Sequence, residues 1–179
     1  MTRRIRLSAV LAAGLLTVLV APVSGGDDKV RTKLSGYAET PLTISTTASG
    51  EFKATIHQDG TAIDYELTYR DPESTVTQAH IHFGRPAITG GIVLFLSTNL
   101  ANAPATVPTP QACPAAPATI VGTLTAADVV AVSGQGIDAG ATGFAEILTA
   151  IRAGAAYANV HTTGRPSGEI RGPLRRHGN

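Results

Sequence analysis

Two runs of alternating residues about an Asp-Gly turn constrain this chain more than any other feature. Phe52, Ala54 and Ile56 alternate with Lys53, Thr55 and His57; Ile63, Tyr65, Leu67 and Tyr69 alternate with Asp64, Glu66 and Thr68. A period of two sends apolar groups to one face of a strand and polar groups to the other. Gln58-Asp59-Gly60-Thr61 between the runs is a hairpin turn. A two-stranded ribbon with one apolar face is not stable alone in water, so the rest of the chain must supply strands to cover it.

Those strands are legible at intervals. Thr77–Gly84 alternates again, and Ile92-Val93-Leu94-Phe95-Leu96 is a continuous apolar run expected of a strand buried on both faces. Ala118–Leu124, Tyr157–Thr162 and Glu169–Leu174 complete the series, the last with Ile170 and Leu174 inward. Residues 25–33 read as polar and frayed at their start, Leu34–Pro41 as a strand end with turn residues, and Thr98–Pro117 as an ordered surface excursion. Two short helices are expected in the connections. One is capped by Thr125 with Asp128 at its third position and is spent by Ser133-Gly134. The other carries the stripe Phe144, Ile147, Leu148, Ile151, with Gly154 as its stop. Short strands with turn signals between them argue for a mainly β chain, an antiparallel β-sandwich.

The start of the chain is of another kind. Arg3, Arg4 and Arg6 precede the apolar Ser8–Val20, and Val23-Ser24-Gly25-Gly26 offers small residues for cleavage. That order reads as a Sec-type signal peptide over residues 1–25, with a single domain over 26–179 and a secreted or periplasmic destination. Thr2-Arg3-Arg4 fits a twin-arginine signal poorly. The apolar run is too short for a transmembrane helix, so no membrane span is expected after cleavage. Without the leader, eleven basic residues face thirteen acidic ones. That balance argues against nucleic acid or an anionic membrane as a partner. Cys113, the only cysteine, has no intrachain partner and is expected as a free thiol.

Chemistry concentrates on histidine. His80 and His82 share one face of their strand, about 7 Å apart, with Ala79, Ile81 and Phe83 opposite. His161 shares a face with Asn159 and Tyr157, while Ala158 and Val160 look the other way. If the two strands are neighbours, three imidazoles converge, and such a set holds copper or zinc. His57 is a possible fourth ligand. Gln78, Asn159, Glu169 and Arg171 are candidates for orienting the ligands, Glu169 and Arg171 also as an ion pair with each other. The alternative is a polar sheet face on which the imidazoles bond to Gln78, Asn159, Thr162 or water. Asp64 and Glu66 read as a solvated face and His177 as part of a solvated tail. The chain contains no Gly-x-Ser-x-Gly elbow, phosphate-cradling loop or dinucleotide fingerprint.

Leu34-Ser35-Gly36 with Glu39-Thr40-Pro41, then Ala79-His80-Ile81-His82-Phe83-Gly84, then Ala158-Asn159-Val160-His161-Thr162 with Gly168-Glu169-Ile170-Arg171-Gly172 resemble the CHRD (chordin) domain, from about Lys33 to Leu174. The resemblance implies an exported, Greek-key-like β domain. In animals such domains belong to an extracellular antagonist of growth-factor signalling; in bacteria they often stand alone with no assigned activity. It also implies a cysteine where this chain has Ser97, able to pair with the equivalent of Cys113, which leaves the order of residues 101–117 open. The His-x-His strand is similar, over a much shorter stretch, to copper/zinc superoxide dismutases, whose zinc loop, fourth copper ligand and cysteine pair have no counterpart here. Three functions follow as expectations. The first is a non-catalytic extracytoplasmic module that binds an unknown extracellular protein or small ligand and carries one metal site. The second is a copper or zinc enzyme of dismutase-like redox or hydrolytic type using the same histidines. The third is a structural envelope or adhesion module without metal.

Overall fold

The structure, a computed structural model, describes residues 28–175, so the expected signal peptide and His177 lie outside the described residues. Eight strands form one antiparallel sheet: β1 (Asp28–Ser35), β2 (Ser49–Ile56), β3 (Ala62–Arg70), β4 (Val76–Phe83), β5 (Gly91–Thr98), β6 (Ala118–Thr125), β7 (Ala156–Thr162) and β8 (Ile170–Pro173). Their order is β5-β4-β7-β8-β1-β2-β3-β6. The sheet curls until it is nearly a closed barrel, which broadly matches the sandwich the strand pattern predicts.

The predicted hairpin forms as β2 and β3, with Phe52 opposite Leu67 and Ala54 opposite Tyr65. Gly60 takes a left-handed φ of +68° at its turn, a conformation that costs a residue without Cβ little. Phe52, Ile56, Ile63 and Leu67 point into the barrel with Val30, Leu34, Ile81, Leu94, Ile120 and Val160, and none of these is more than 2% exposed. The seam between the edge strands β5 and β6 is bridged by Tyr65, whose hydroxyl donates to the Leu96 carbonyl at 2.8 Å.

Two expectations are corrected. Residues 28–35, read as frayed and as a strand end, form a full strand paired residue for residue with β2. Its alternation is hidden because Lys29, Arg31 and Lys33 face outward and only Val30 and Leu34 are buried. The first helix is only one 3-10 turn, Ala126–Asp128, although its Thr125/Asp128 capping box forms as expected. The chain leaves the helix early because Val129 bridges to Leu94 and Val130 N–H bonds to the Val93 carbonyl, which satisfies part of the β5 edge. The second helix forms as α1 (Gly140–Arg152) with Phe144, Ile147, Leu148 and Ile151 buried.

The 98–117 excursion is tied down at both ends. The Asn99 side chain donates to the Val76 and Cys113 carbonyls and accepts from Cys113 N–H, and Gln111 reaches the Tyr65 hydroxyl and the Val121 carbonyl. Cys113 is a free, buried thiol whose sulfur lies 2.8 Å from Ser97 Oγ. Burial raises its pKa.

Candidate metal centre

β4 and β7 are hydrogen-bonded neighbours, with Gln78 opposite His161, His80 opposite Asn159 and His82 opposite Tyr157. On the inner face Ala79, Ile81, Ala158 and Val160 enter the core. The pleat therefore sends His80, His82 and His161 outward together. Their ring centroids lie 5.0 Å (His80–His161), 5.5 Å (His80–His82) and 5.9 Å (His82–His161) apart. One nitrogen from each falls within 4.8 Å of the others.

This outward face does not meet water. His80 is fully buried, and His82 and His161 are 6% and 5% exposed. Three loops roof them: residues 36–48 after β1, 84–90 between β4 and β5, and 163–169 between β7 and β8. Carbonyls from the last two fix the rings. His82 Nδ1 bonds the Gly90 carbonyl and His161 Nδ1 the Pro166 carbonyl, both at 3.0 Å. A carbonyl can only accept, so each Nδ1 carries the proton and each Nε2 keeps its lone pair. His80 Nδ1 stands 3.3 Å from His161 Nε2. His80 Nε2 and His82 Nε2 are buried without a hydrogen-bond partner. Gly90 can approach this closely because a Cβ on it would run into the Phe83 carbonyl.

Burial keeps the cluster neutral. Desolvation first, then the neighbouring rings, lowers His80 from 6.5 to about 2; desolvation likewise lowers His82 to about 4, against the Gly90 carbonyl bond. His161 is lowered by burial as well, opposed by its bond to Pro166. Three neutral imidazoles in a buried site are in the state a metal requires of its ligands. Two nitrogens about 2.0–2.1 Å from one tetrahedral ion stand roughly 3.3 Å apart, which is the observed His80–His161 separation. The third nitrogen lies within 4.8 Å of these two, so a shift on the order of an ångström would bring it to an ion's coordination distance. The donor set therefore fits an ion, and each anchoring carbonyl is the partner expected to orient a ligand histidine.

The surrounding residues differ from expectation. His57 is outside the histidine cluster; it stands half-exposed beside the β2–β3 turn, where it pairs with Asp64 at 2.8 Å. Gln78 accepts from Asn102 at 2.6 Å. Asn159 donates to Glu39 and to the Ile170 carbonyl. Glu169 and Arg171 do not pair. Glu169 collects Thr46 Oγ1, Thr162 Oγ1 and Glu73 N–H, while Arg171 donates to Thr40 Oγ1 and to the Arg85 and Ile88 carbonyls. Glu169 ends up just before β8 in the turn, and that change of direction sends the two side chains to different loops.

Several residues that shape the site carried no sequence signal of that role. The Tyr157 ring stacks parallel on His82 at 4.8 Å, and the Arg171 guanidinium sits 3.4 Å from the Tyr157 centroid. Because β7 lies between β4 and β8, the phenol is sandwiched between imidazole and cation. Phe95 meets His80 edge-on at 4.5 Å. Glu39 is buried, and desolvation raises its pKa to about 7 against the Asn159 bond and the Arg171 charge. Gly168, at φ +127°, lets the last loop pass where a Cβ would strike Asn159 and Glu39. The sequence places Tyr157 and Asn159 on the histidine face; the distant loops that cover that face have no local mark.

The model of the CHRD domain family matches residues 30–174, which is nearly all of the described chain. No curated protein and no solved structure matches it. The chain belongs to the CHRD domain family.

Proposed function

We propose that this CHRD domain is an extracytoplasmic, non-catalytic binding module built around one copper or zinc ion held by His80, His82 and His161. The observation that carries the reading is the buried His82 Nε2, which has no partner, in a neutral cluster where His80 Nδ1 and His161 Nε2 already stand 3.3 Å apart. A buried polar atom left unpaired costs roughly 1–3 kcal/mol, and an ion that takes up the His82 Nε2 lone pair removes that penalty there. Bound there, the ion would lock β4 to β7 and hold the loops at Gly90 and Pro166. Those loops form the surface offered to an extracellular protein or small ligand. Export is supported by the arginine-then-apolar order of residues 3–20.

A redox or hydrolytic centre would need an open coordination position that a substrate can reach. Here the rings are 0–6% exposed and packed by Phe95 and Tyr157, which favours holding over turnover. Among the described residues no helix is long and apolar enough to cross a membrane.

Elemental analysis of the purified protein should find about one transition-metal ion per chain. The His80→Ala/His82→Ala double variant should lose it while keeping a folded circular-dichroism spectrum. Wild-type protein that takes up neither copper nor zinc at micromolar levels would defeat the metal reading and leave a structural envelope or adhesion module.

A further inference from the structure

We infer that the ion this cage is built for is monovalent copper, held by His80 Nδ1, His82 Nε2 and His161 Nε2. The inference rests on the metal-centre reading and adds the identity and charge of the ion.

The first ground is charge. All three donors are neutral imidazoles, and no carboxylate or thiolate joins them among the described residues. The two buried acids nearest the site are engaged elsewhere: Glu39 accepts from Asn159, and Glu169 is occupied by Thr46, Thr162 and the Glu73 backbone. The charge stacked against the cluster is positive, since Arg171 lies on the far face of the Tyr157 ring that covers His82. The cost of removing an ion from water rises with the square of its charge, so a divalent ion costs about four times as much to bury as a monovalent one. With no anionic ligand among its donors and Arg171 behind Tyr157, this site selects for the lower charge.

Coordination number gives the second ground. Zinc sites are almost always four-coordinate and divalent copper prefers a tetragonal set. This cluster presents three nitrogens from two adjacent strands, with Phe95 and Tyr157 packed on the flanks where further ligands would enter. The Gly90 and Pro166 carbonyls pin two of the rings, which opposes rearrangement to a square. A closed-shell monovalent ion has no such geometric demand and can be served by three donors. Coordination through His80 Nδ1 leaves its Nε2 proton under apolar cover beside Phe95, where no solvent reaches it.

The test is a metal titration of the full chain, prepared metal-free and handled without oxygen. Cu(I) is titrated against bicinchoninate and Zn(II) against a chromogenic chelator, and the reduction potential of the copper-loaded protein is measured. We expect one Cu(I) per chain, weaker Zn(II) binding, and a potential above that of aqueous copper. That potential would mean Cu(I) is bound tighter than Cu(II) by on the order of a hundredfold or more. Arg171→Gln, if its circular dichroism is native, should lower the potential; an unchanged potential would overturn the charge argument. A potential at or below the aqueous couple, or Zn(II) held more tightly than Cu(I), overturns the inference through the wild-type protein alone. If Zn(II) or Cu(II) binds one to one and is lost in His80→Ala/His82→Ala, the metal centre stands and its monovalent identity falls. If no metal binds, both fall.

Discussion

The outer faces of the two halves of this barrel follow opposite rules. Over β1, β2, β3 and β6 the outer residues meet water. Arg31, Glu51, Lys53 and Glu66 form a chain of surface ion pairs there, and Asp64 bonds His57 and Thr123. Over β4, β7 and β8 the outer residues lie under three loops, and every residue of β7 is buried on either side of the sheet. In the first half water solvates each charge whether or not a partner is present. In the second each polar atom must find its partner within the protein, so the two nitrogens that do not are informative. A polar residue on a strand therefore gains functional meaning from what covers it.

Removing Arg171 should separate the halves most sharply. Arg171→Ala strips the cation from Tyr157 and leaves the Arg85 and Ile88 carbonyls without their donor. The expected loss is roughly 3–5 kcal/mol in urea unfolding. A loss under about 1 kcal/mol would mean that the roof is not held by this residue.

The seam should yield the next largest effect. Ser97 Oγ and Cys113 Sγ are already 2.8 Å apart, so Ser97→Cys should close a disulfide on oxidation. Locking a loop of this length is worth about 3 kcal/mol, read as a higher urea midpoint that dithiothreitol abolishes. Failure of the two thiols to oxidise would show that the 98–117 excursion does not hold its position in solution.

Acid should act through the covered half. His80, at about 2, and His82, at about 4, refuse protons that the unfolded chain binds below 6.5. In these terms the unfolded state holds more protons at low pH, so stability falls as pH drops below 6.5 and is level above it. Glu39 opposes them. Its carboxyl, raised from 4.5 to about 7, adds stability at low pH that is lost as pH rises through 7. The rings outnumber the carboxyl, so metal-free protein should gain stability from pH 4.5 to 6.5, by up to about 1.4 kcal/mol per pH unit for each net proton. Urea midpoints across that range provide the measurement, and His80→Asn/His82→Asn should flatten the slope. A wild-type slope of the opposite sign would show that the cluster does not stay neutral.

Lys53→Met completes the series at its small end. The variant breaks the bridges to Glu51 and Glu66 on the solvated face and should leave the urea midpoint within replicate scatter. A clear shift would erase the contrast between the halves.

Much of the fold was legible because alternation is a local property. Phe52 to Tyr69 declare their strands and turn within a single hairpin, and the α1 stripe is likewise contained in eight residues. β1 escaped notice because two apolar residues among lysines, arginine and threonine make a weak period. The site divides in the same way. His80, His82 and His161 were identifiable by residue type and face, whereas His57 and Gln78, equally plausible by those criteria, proved to have other partners.

What the sequence determined by itself was the β architecture, the family, and the face of each strand on which the histidines stand. A period of two settles face without reference to the rest of the chain. Only the tertiary structure decided that β4 and β7 are neighbours, that loops near Thr40, Gly90 and Pro166 close over them, and that Glu169 and Arg171 part company. Those contacts join residues as far apart as Thr40 and Arg171. Hydrogen bonding and burial across such separations depend on how the whole sheet curls, and no local pattern encodes that.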